Sequence, residues 1–419
     1  MLSPLARPAL KSSTCRFCGT ALTRSFANLG ATPPSNAYLR ESDLGKPEIF
    51  YPLHAFVCES CFLVQLEEFA TPEQLFTDYA YFSSYSESWL HHAEAYAEMA
   101  SARFRLGRES RVVEVASNDG YLLQFFARKG IPVLGIEPAA NVARRAETLG
   151  VPTLVRFFAR ATARKVVQDG GRADLLIGNN VLAHVPNLND FVAALRIALA
   201  PQGVITIEFP HLMRLIEEGQ FDTIYHEHFS YFSFLTVERI FAAHGLRLFD
   251  VESLPTHGGS LRIYACHAEA NHAAMPAVAL MRAAERAAGL DRLDVYEGFG
   301  ARIAGIKRSF VKFLIEAKDA GKSIVGYGAA AKGNTLLVTS GVGPDLIDYV
   351  VDANPHKQGL YLPGTHIPIL APERLTETSP DFIVILPWNL KHEIMEKAAY
   401  ARGWGARFVV AVPELAVLP

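Results

Sequence analysis

Two Cys-x-x-Cys pairs, Cys15-Arg-Phe-Cys18 and Cys58-Glu-Ser-Cys61, stand 39 residues apart, and no other feature restricts so tightly how the start of this chain can fold. Four thiolates about 2.3 Å from a central ion complete the tetrahedral shell of Zn2+ and leave no open position for water or substrate. The spacing therefore predicts a structural Zn2+ on Cys15, Cys18, Cys58 and Cys61. A redox Cys-x-x-Cys normally stands singly at a helix N-terminus, and four unrelated free cysteines would not fall into matched pairs. Zinc also answers a need. Gly19, Gly30, Pro33-Pro34, Gly45, Pro47 and Pro52 interrupt every short apolar run before residue 74, so this segment has little material for a core of its own. The fifth cysteine, Cys266, falls in an apolar strand pattern and is expected in a core.

The rest of the 419 residues exceeds a single ordinary core. From Arg111 onward, strand patterns alternate with helical ones: Arg111 to Ala116, Pro132 to Ile136, Leu175 to Gly178 and Val204 to Phe209 as strands, with helices over Tyr121 to Lys129, Ala139 to Leu149 and Asn189 to Leu199. Such alternation implies a parallel sheet covered by helices. Leu246 to Val251 and Gly259 to His267 read as an antiparallel pair closing it. A long helical region, Ala274 to Ala320, leads into a second series of strands at Ile324 to Tyr327, Ile347 to Val351 and Phe382 to Leu386, with Phe408 to Val412 as the edge. The expected class is α/β, in three domains: 1–74 a zinc-binding module, 75–268 and 269–419 two α/β units.

Composition narrows the partners. Lys plus Arg number 40 against 43 Asp plus Glu, a formal charge of −3, so no surplus of positive charge is available for a phosphate backbone and nucleic acid is not expected. No apolar run approaches the roughly 18 residues that cross a bilayer, and Met1 to Ser12 lack the sustained apolar core of a signal peptide. A cytoplasmic protein without a membrane partner is expected, working as a monomer.

The loop after the first strand of the central unit runs Glu114-Val-Ala116-Ser-Asn118-Asp-Gly120-Tyr121. Small residues let backbone approach a ligand closely, and the helix after the loop offers unpaired N–H groups. Glu137, at the end of the next strand and followed by Pro138, can accept hydrogen bonds from both hydroxyls of a ribose. This combination suits either a nicotinamide or an S-adenosylmethionine cofactor. Ala116 and Asn118 stand where a dinucleotide fold wants glycines to admit a pyrophosphate, which favours S-adenosylmethionine. So do Glu114 at the strand end, suited to support the amino acid end of that cofactor, and the polar loop Asn179-Asn180 through His184 after the strand ending at Gly178. A plain strand-turn is the alternative.

Tyr225-His226-Glu227-His228 concentrates titratable groups after the strand ending at Phe209. Histidine suits proton transfer near neutral pH, and a flanking Glu or Tyr can orient it or hold a developing oxyanion. His-x-His as a metal site and aromatic packing are the competing readings; no further ligand stands nearby, and Phe229 and Phe232 are assigned to the core. In the last unit, Gly326-Tyr-Gly-Ala-Ala-Ala-Lys332-Gly-Asn334 comes after a strand and opens a helix, so its N–H groups and Lys332 can bind a diphosphate. Lys357, after the next strand, lies on the same edge. The competing reading is a duplicated scaffold without a ligand.

Together, the paired knuckles, Glu-Val-Ala-Ser-Asn-Asp-Gly, Asn-Asn-Val-Leu-Ala-His, Tyr-His-Glu-His-Phe and Gly-Tyr-Gly-Ala-Ala-Ala-Lys-Gly-Asn-Thr resemble the nucleotide-sugar C-methyltransferases of deoxysugar biosynthesis, from Cys15 to about Pro413. The resemblance implies a zinc module, a class I S-adenosylmethionine methyltransferase domain and a C-terminal Rossmann-like domain that binds the nucleotide sugar. It implies a dTDP-linked 4-keto-deoxysugar as substrate, methylated next to the ketone with C-3 the expected position, and His228 as the base. Tyr79, Tyr225, Glu227 and His184 match residues lining that pocket, and Tyr81 and Ser83 fall in the same stretch as Tyr79. One departure is Ala116, where the family usually has Gly. The chemistry is consistent: carbon methylation needs a carbanion, and a C–H beside a ketone is acidic enough once the enolate oxygen is stabilised. Two other readings are a nicotinamide-dependent sugar oxidoreductase using the Gly-Tyr-Gly loop and a zinc-bearing binding protein without catalysis.

Overall fold

The computed structural model describes residues 13–69, 84 and 87–419; Tyr79, Tyr81 and Ser83 lie outside the described residues. The first segment contributes β1 (Arg24–Thr32), β2 (Tyr51–Val57) and β3 (Val64–Leu66), each antiparallel to the next. Alternation along β2 turns Leu53, Ala55 and Val57 to one buried face.

The central unit begins with α1 (Glu87–Arg103) and continues β4 (Val112–Val115), α2 (Leu123–Arg128), β5 (Val133–Ile136), α3 (Ala140–Thr148), β6 (Thr153–Leu154), α4 (Arg160–Gly170), β7 (Ala173–Asn179), α5 (Leu188–Ala198) and β8 (Leu199–Pro210). Then come α6 (Leu212–Glu217), β9 (Ser230–Tyr231), α7 (Phe234–Ala243), β10 (Leu246–Leu254) and β11 (Ser260–His267). Its seven-stranded sheet has the order β10-β11-β8-β7-β4-β5-β6. All neighbours are parallel except β11, which runs antiparallel to β8 and to β10. β4 is buried along its whole length, as expected of a strand covered on both faces. The chain order reverses across β4 and β7, which opens a crevice at their carboxyl ends. Cys266 is fully buried on β11.

β9 leaves this sheet altogether. It pairs antiparallel with β3, Val64 opposite Tyr231 and Gln65 opposite Ser230, giving the small sheet the order β1-β2-β3-β9. The segment between residues 221 and 232 is thereby built into the zinc module as well as the central unit.

The long helix expected over residues 274 to 320 is three: α8 (Pro276–Ala287), α9 (Asp294–Glu297) and α10 (Phe299–Asp319). Gly289, at φ +84, ends α8 in the left-handed conformation while the N–H of Leu290 returns to the carbonyl of Glu285, the motif glycine favours at helix ends. Next come β12 (Ile324–Tyr327), α11 (Ala331–Ser340), β13 (Val350–Val351), β14 (Ile369–Leu370), α12 (Arg374–Thr378), β15 (Phe382–Ile385), α13 (Lys391–Lys397), β16 (Arg407–Val410) and β17 (Ala416–Leu418). The sheet order is β14-β13-β12-β15-β16-β17. β16 is therefore not the edge expected of it: β17 adds antiparallel outside it.

The apolar face of the zinc module is buried against the last unit. Phe26 stacks on Phe299 at 4.7 Å and meets Tyr296 edge-on at 6.1 Å. One hydrophobic cluster runs from Phe26, Leu53 and Leu66 through Phe310 to Ile324 and Ile383. Among the described residues no helix is long and apolar enough to cross a membrane.

Candidate functional site

The four cysteine Sγ atoms of the first segment lie within 4.8 Å of one another, with Cys15 to Cys61 and Cys18 to Cys58 at 3.5 Å and Cys18 to Cys61 at 3.6 Å. Ligands about 2.3 Å from a tetrahedral centre stand about 3.8 Å apart, so the donor set and its size fit Zn2+ with no position left for a reactant. The first knuckle is tied both to β3 and to the central unit. Arg16 donates to the carbonyls of Leu66 and Pro186, and Asn189 Nδ2 donates to the carbonyl of Phe17 at 2.9 Å.

A cavity of about 940 Å3 lies where the three units meet, near the upper end of the roughly 300–1,000 Å3 usual for small-molecule sites. Ala116, Asn118, Tyr121, Glu137, Pro138, Asn179 and Asn180 line one side at the crevice between β4 and β7. Glu137 accepts hydrogen bonds from the N–H groups of Asn118 at 3.0 Å and Ala139 at 2.9 Å, which points its carboxylate into the loop from the end of β5. The Oδ1 atoms of Asn179 and Asn180 are buried acceptors without a protein partner. A nucleoside ligand bearing hydroxyl and ammonium donors, such as S-adenosylmethionine, fits this set. Ala116 adopts φ +56 and Asn118 φ +49, the left-handed region that favours glycine, so Ala116 carries strain of about 1–2 kcal/mol that glycine would not. Two of the residues expected to hold the cofactor are not on the cavity wall. Gly120 turns the loop behind it, and Glu114 is fully buried on β4, where burial raises its carboxyl well above the usual range and the nearby Tyr121 hydroxyl opposes the shift.

Opposite stands the loop before β9. Its position is set by its anchors: the N–H of Phe229 donates to the carbonyl of Ala183 at 2.7 Å, and that of Leu66 to the carbonyl of Phe229 at 3.0 Å. Tyr225, Glu227 and His228 line the cavity, with His184 across from them. His226 turns the other way, toward the carbonyl of Pro52 at 3.1 Å. The His184 and His228 rings are 4.8 Å apart, and the Tyr225 ring lies 4.1 Å from His228. Each imidazole gives its Nδ1–H to a backbone carbonyl, His228 to Thr223 at 2.9 Å and His184 to Glu227 at 2.7 Å. A donor at Nδ1 leaves Nε2 as the basic nitrogen. Burial, with His184 beside it, holds His228 well below the usual histidine range, and burial brings His184 down to about 4. Burial pushes Glu227 up to about 7, opposed by a hydrogen bond from Asn36.

From the last unit come Lys332 and Lys357. Lys332 Nζ donates to Asn389 Oδ1 at 2.6 Å and sits 4.8 Å from the centre of the Trp388 ring; burial lowers its pKa and Asp222 opposes this. Lys357 Nζ donates to the carbonyl of Ala329 at 2.8 Å. Asn334 is buried behind the loop, with neither amide atom hydrogen-bonded to protein.

Other wall residues were not anticipated from the sequence. Asn36 and Tyr38 come from a loop of the zinc module that carries no motif. His257, at φ +55, accepts from Asn180 Nδ2 at 3.3 Å and lies 5.4 Å from Trp89. A signal for it exists in the sequence: a histidine before Gly258-Gly259 in the turn joining β10 to β11.

Three family models match consecutive stretches: a zinc binding domain over residues 15–76, a methyltransferase domain over 89–251 and a C-methyltransferase C-terminal domain over 255–413. C-methyltransferase NovU of Streptomyces niveus is 35% identical over 404 residues, covering 96% of each chain. Among solved structures, magnesium protoporphyrin IX methyltransferase from Synechocystis, with bound S-adenosylmethionine, is 14% identical with a TM-score of 0.33, over 42% of this chain and 79% of that one. An S-adenosylmethionine-dependent methyltransferase from Clostridium acetobutylicum is 8% identical with a TM-score of 0.34, over 42% of this chain and 92% of its own. With its four-cysteine module, a methyltransferase domain and a relative matched almost end to end, the chain belongs to the zinc-containing, S-adenosylmethionine-dependent C-methyltransferases.

Proposed function

We propose that this C-methyltransferase acts on a nucleotide-linked 4-keto-deoxysugar, dTDP its expected carrier, and adds the methyl group to the carbon beside the ketone, C-3 the expected position. The observation that carries this reading is the composition of one cavity: the small-residue loop after β4 with Glu137 on one wall, two buried imidazoles and a carboxyl on another, and two lysines on a third. S-adenosylmethionine, when bound, supplies an electrophilic methyl group. Ala116, Asn118, Tyr121, Glu137, Pro138, Asn179 and Asn180 would hold it. His228 Nε2 takes the proton from the carbon next to the ketone, which leaves that carbon nucleophilic. A neutral imidazole is required for this, and burial keeps His228 neutral at physiological pH. The Tyr225 hydroxyl donates to the oxygen that gains charge, the His184 ring packs against that of His228, and Glu227 accepts a hydrogen bond from a sugar hydroxyl to fix the ring. Lys332 and Lys357 face the diphosphate.

The test is to incubate the protein with S-adenosylmethionine labelled in its methyl group and a panel of dTDP-linked keto sugars, tracking products by mass spectrometry. A gain of one labelled methyl on a 4-keto sugar, with the C-3 deuterium lost from a labelled substrate, is the expected result. Methyl transfer to oxygen, or none to any keto sugar of the panel, overturns the reading.

A further inference from the structure

Residues 33 to 48 of the zinc module leave that module and lie along the last unit. Ser35 Oγ meets Thr335 Oγ1 at 3.2 Å, the Tyr38 hydroxyl donates to the carbonyl of Ala329 at 2.6 Å, Leu39 and Tyr361 exchange backbone hydrogen bonds at 3.0 and 2.8 Å, and Glu48 accepts the N–H of Gly364 at 2.9 Å. Asn36 stands between the first two of these anchors. From this strap its side chain crosses to the central unit, where Nδ2 lies 2.8 Å from Glu227 Oε1 and 2.9 Å from Oε2. Asn36 itself is exposed toward the cavity, while Glu227 is buried. An amide donor shared between both oxygens of one carboxylate fixes the plane and tilt of that group.

From this geometry we infer that Asn36 is a positioning residue for methyl transfer: it acts through Glu227, holding the carboxylate in the orientation in which it receives the substrate. This rests on the keto-sugar reading only for the identity of the substrate. Among the described residues, Asn36 is the hydrogen-bond partner that holds the Glu227 side chain. The loop backbone is fixed independently, since His184 donates to the Glu227 carbonyl and Phe229 is anchored to Ala183. Loss of Asn36 should therefore free the carboxylate without moving the loop. The strap also explains why a zinc module belongs to an enzyme whose metal takes no chemical step: it delivers a side chain that neither α/β unit supplies.

A double-mutant cycle separates this role from a merely structural one. N36A should lower kcat at least tenfold while the S-adenosylmethionine Kd stays within twofold and the melting temperature stays near that of the wild type. In the E227A background, which offers Asn36 no acceptor, the same substitution should change kcat less than twofold. Equal losses in the two backgrounds, or wild-type kcat in N36A, overturn the proposal. A second readout needs no substrate. With 13C-labelled glutamate, the Glu227 carboxyl, assigned by its disappearance in E227Q, should titrate at a higher pH in N36A, because the donor that opposes burial is gone. Tyr38 on the strap, Tyr225 and His228 on its own loop, His184 across the cavity and Lys357 beside Tyr38 also face this region and are unchanged in the variant. An unmoved midpoint refutes the assignment. Wild-type protein inactive on every keto sugar would instead refute the substrate reading, and the titration would still decide the role of Asn36.

Discussion

His226 and His228 differ in sequence by two positions and in the structure by the direction they face. They flank Glu227 in a turn closed by the His228 N–H donating to the carbonyl of Tyr225 at 2.9 Å, so that one ring meets a carbonyl of the zinc module and the other the cavity. H228N would keep the bulk and a polar atom but lose the basic Nε2. The expected outcome is a kcat reduced by about 10²–10⁴-fold, the usual contribution of a positioned base, with S-adenosylmethionine affinity by calorimetry unchanged within twofold; retained turnover would remove His228 as the base. The direction of the shift sets the pH dependence. Folded His228 is depressed below the ordinary value of 6.5, so its neutral form persists as pH falls to that value and is lost only below it. Glu227, raised to about 7, is displaced the opposite way. The kcat/KM profile of E227Q should retain an acid limb, placed below 6.5; a limb that vanishes with the carboxyl would belong to Glu227 instead. That His228 is the cavity-facing member of the pair was not legible from residue types, because Tyr-His-Glu-His reads alike in either orientation. Ala116 was legible as an exception, but its φ of +56 supplies the reason why related loops would prefer glycine.

Elements were legible to the extent that their own residues determine them. Strands such as β4 and β12, buried on both faces, announce themselves as apolar runs, and the helices between them are amphipathic with apolar period near 3.6. β9 could not be read this way. It is two residues long, and its partner β3 precedes it by more than 160 residues, so only the assembled zinc module offers it an edge. The break of the long helix at Gly289 and the added strand β17 are likewise set by a cap and by an open sheet edge. The β9 pairing ties zinc to activity. The knuckles fix the small sheet, that sheet holds the end of the loop carrying His228, and Arg16, inside the first knuckle, reaches Pro186 on the cavity wall. Removing zinc with a strong chelator should therefore release one ion per chain and abolish methyl transfer, with a lowered melting temperature. Full activity in protein shown to be free of zinc would break this chain of support.

At the scale of the whole molecule, two domain boundaries that look clean along the sequence disappear in space. The zinc module contributes Phe26, Leu29, Leu53 and Leu66 to a cluster whose other members belong mostly to the last unit, and a fully buried Phe alone is worth about 1.5–3 kcal/mol. The central unit is locked to the last one by the Trp388 Nε1–H, which donates to the buried Asp222 at 2.7 Å. The turn carrying His257 packs against that same indole so closely that a Cβ on Gly258 would come within 2.3 Å of it. Elements that share a core melt together, so scanning calorimetry of the full chain loaded with zinc should give one cooperative transition. A fragment ending at residue 268 should fail to form a monomeric folded species. It would keep the central sheet, but the small sheet would expose Phe26 and its neighbours to water, and the dye response of exposed apolar surface together with aggregation would report it. A soluble, cooperatively melting fragment, or separate transitions in the full chain, would show instead that the three units are independent. In that case the cavity between them would have to be assembled by its ligands.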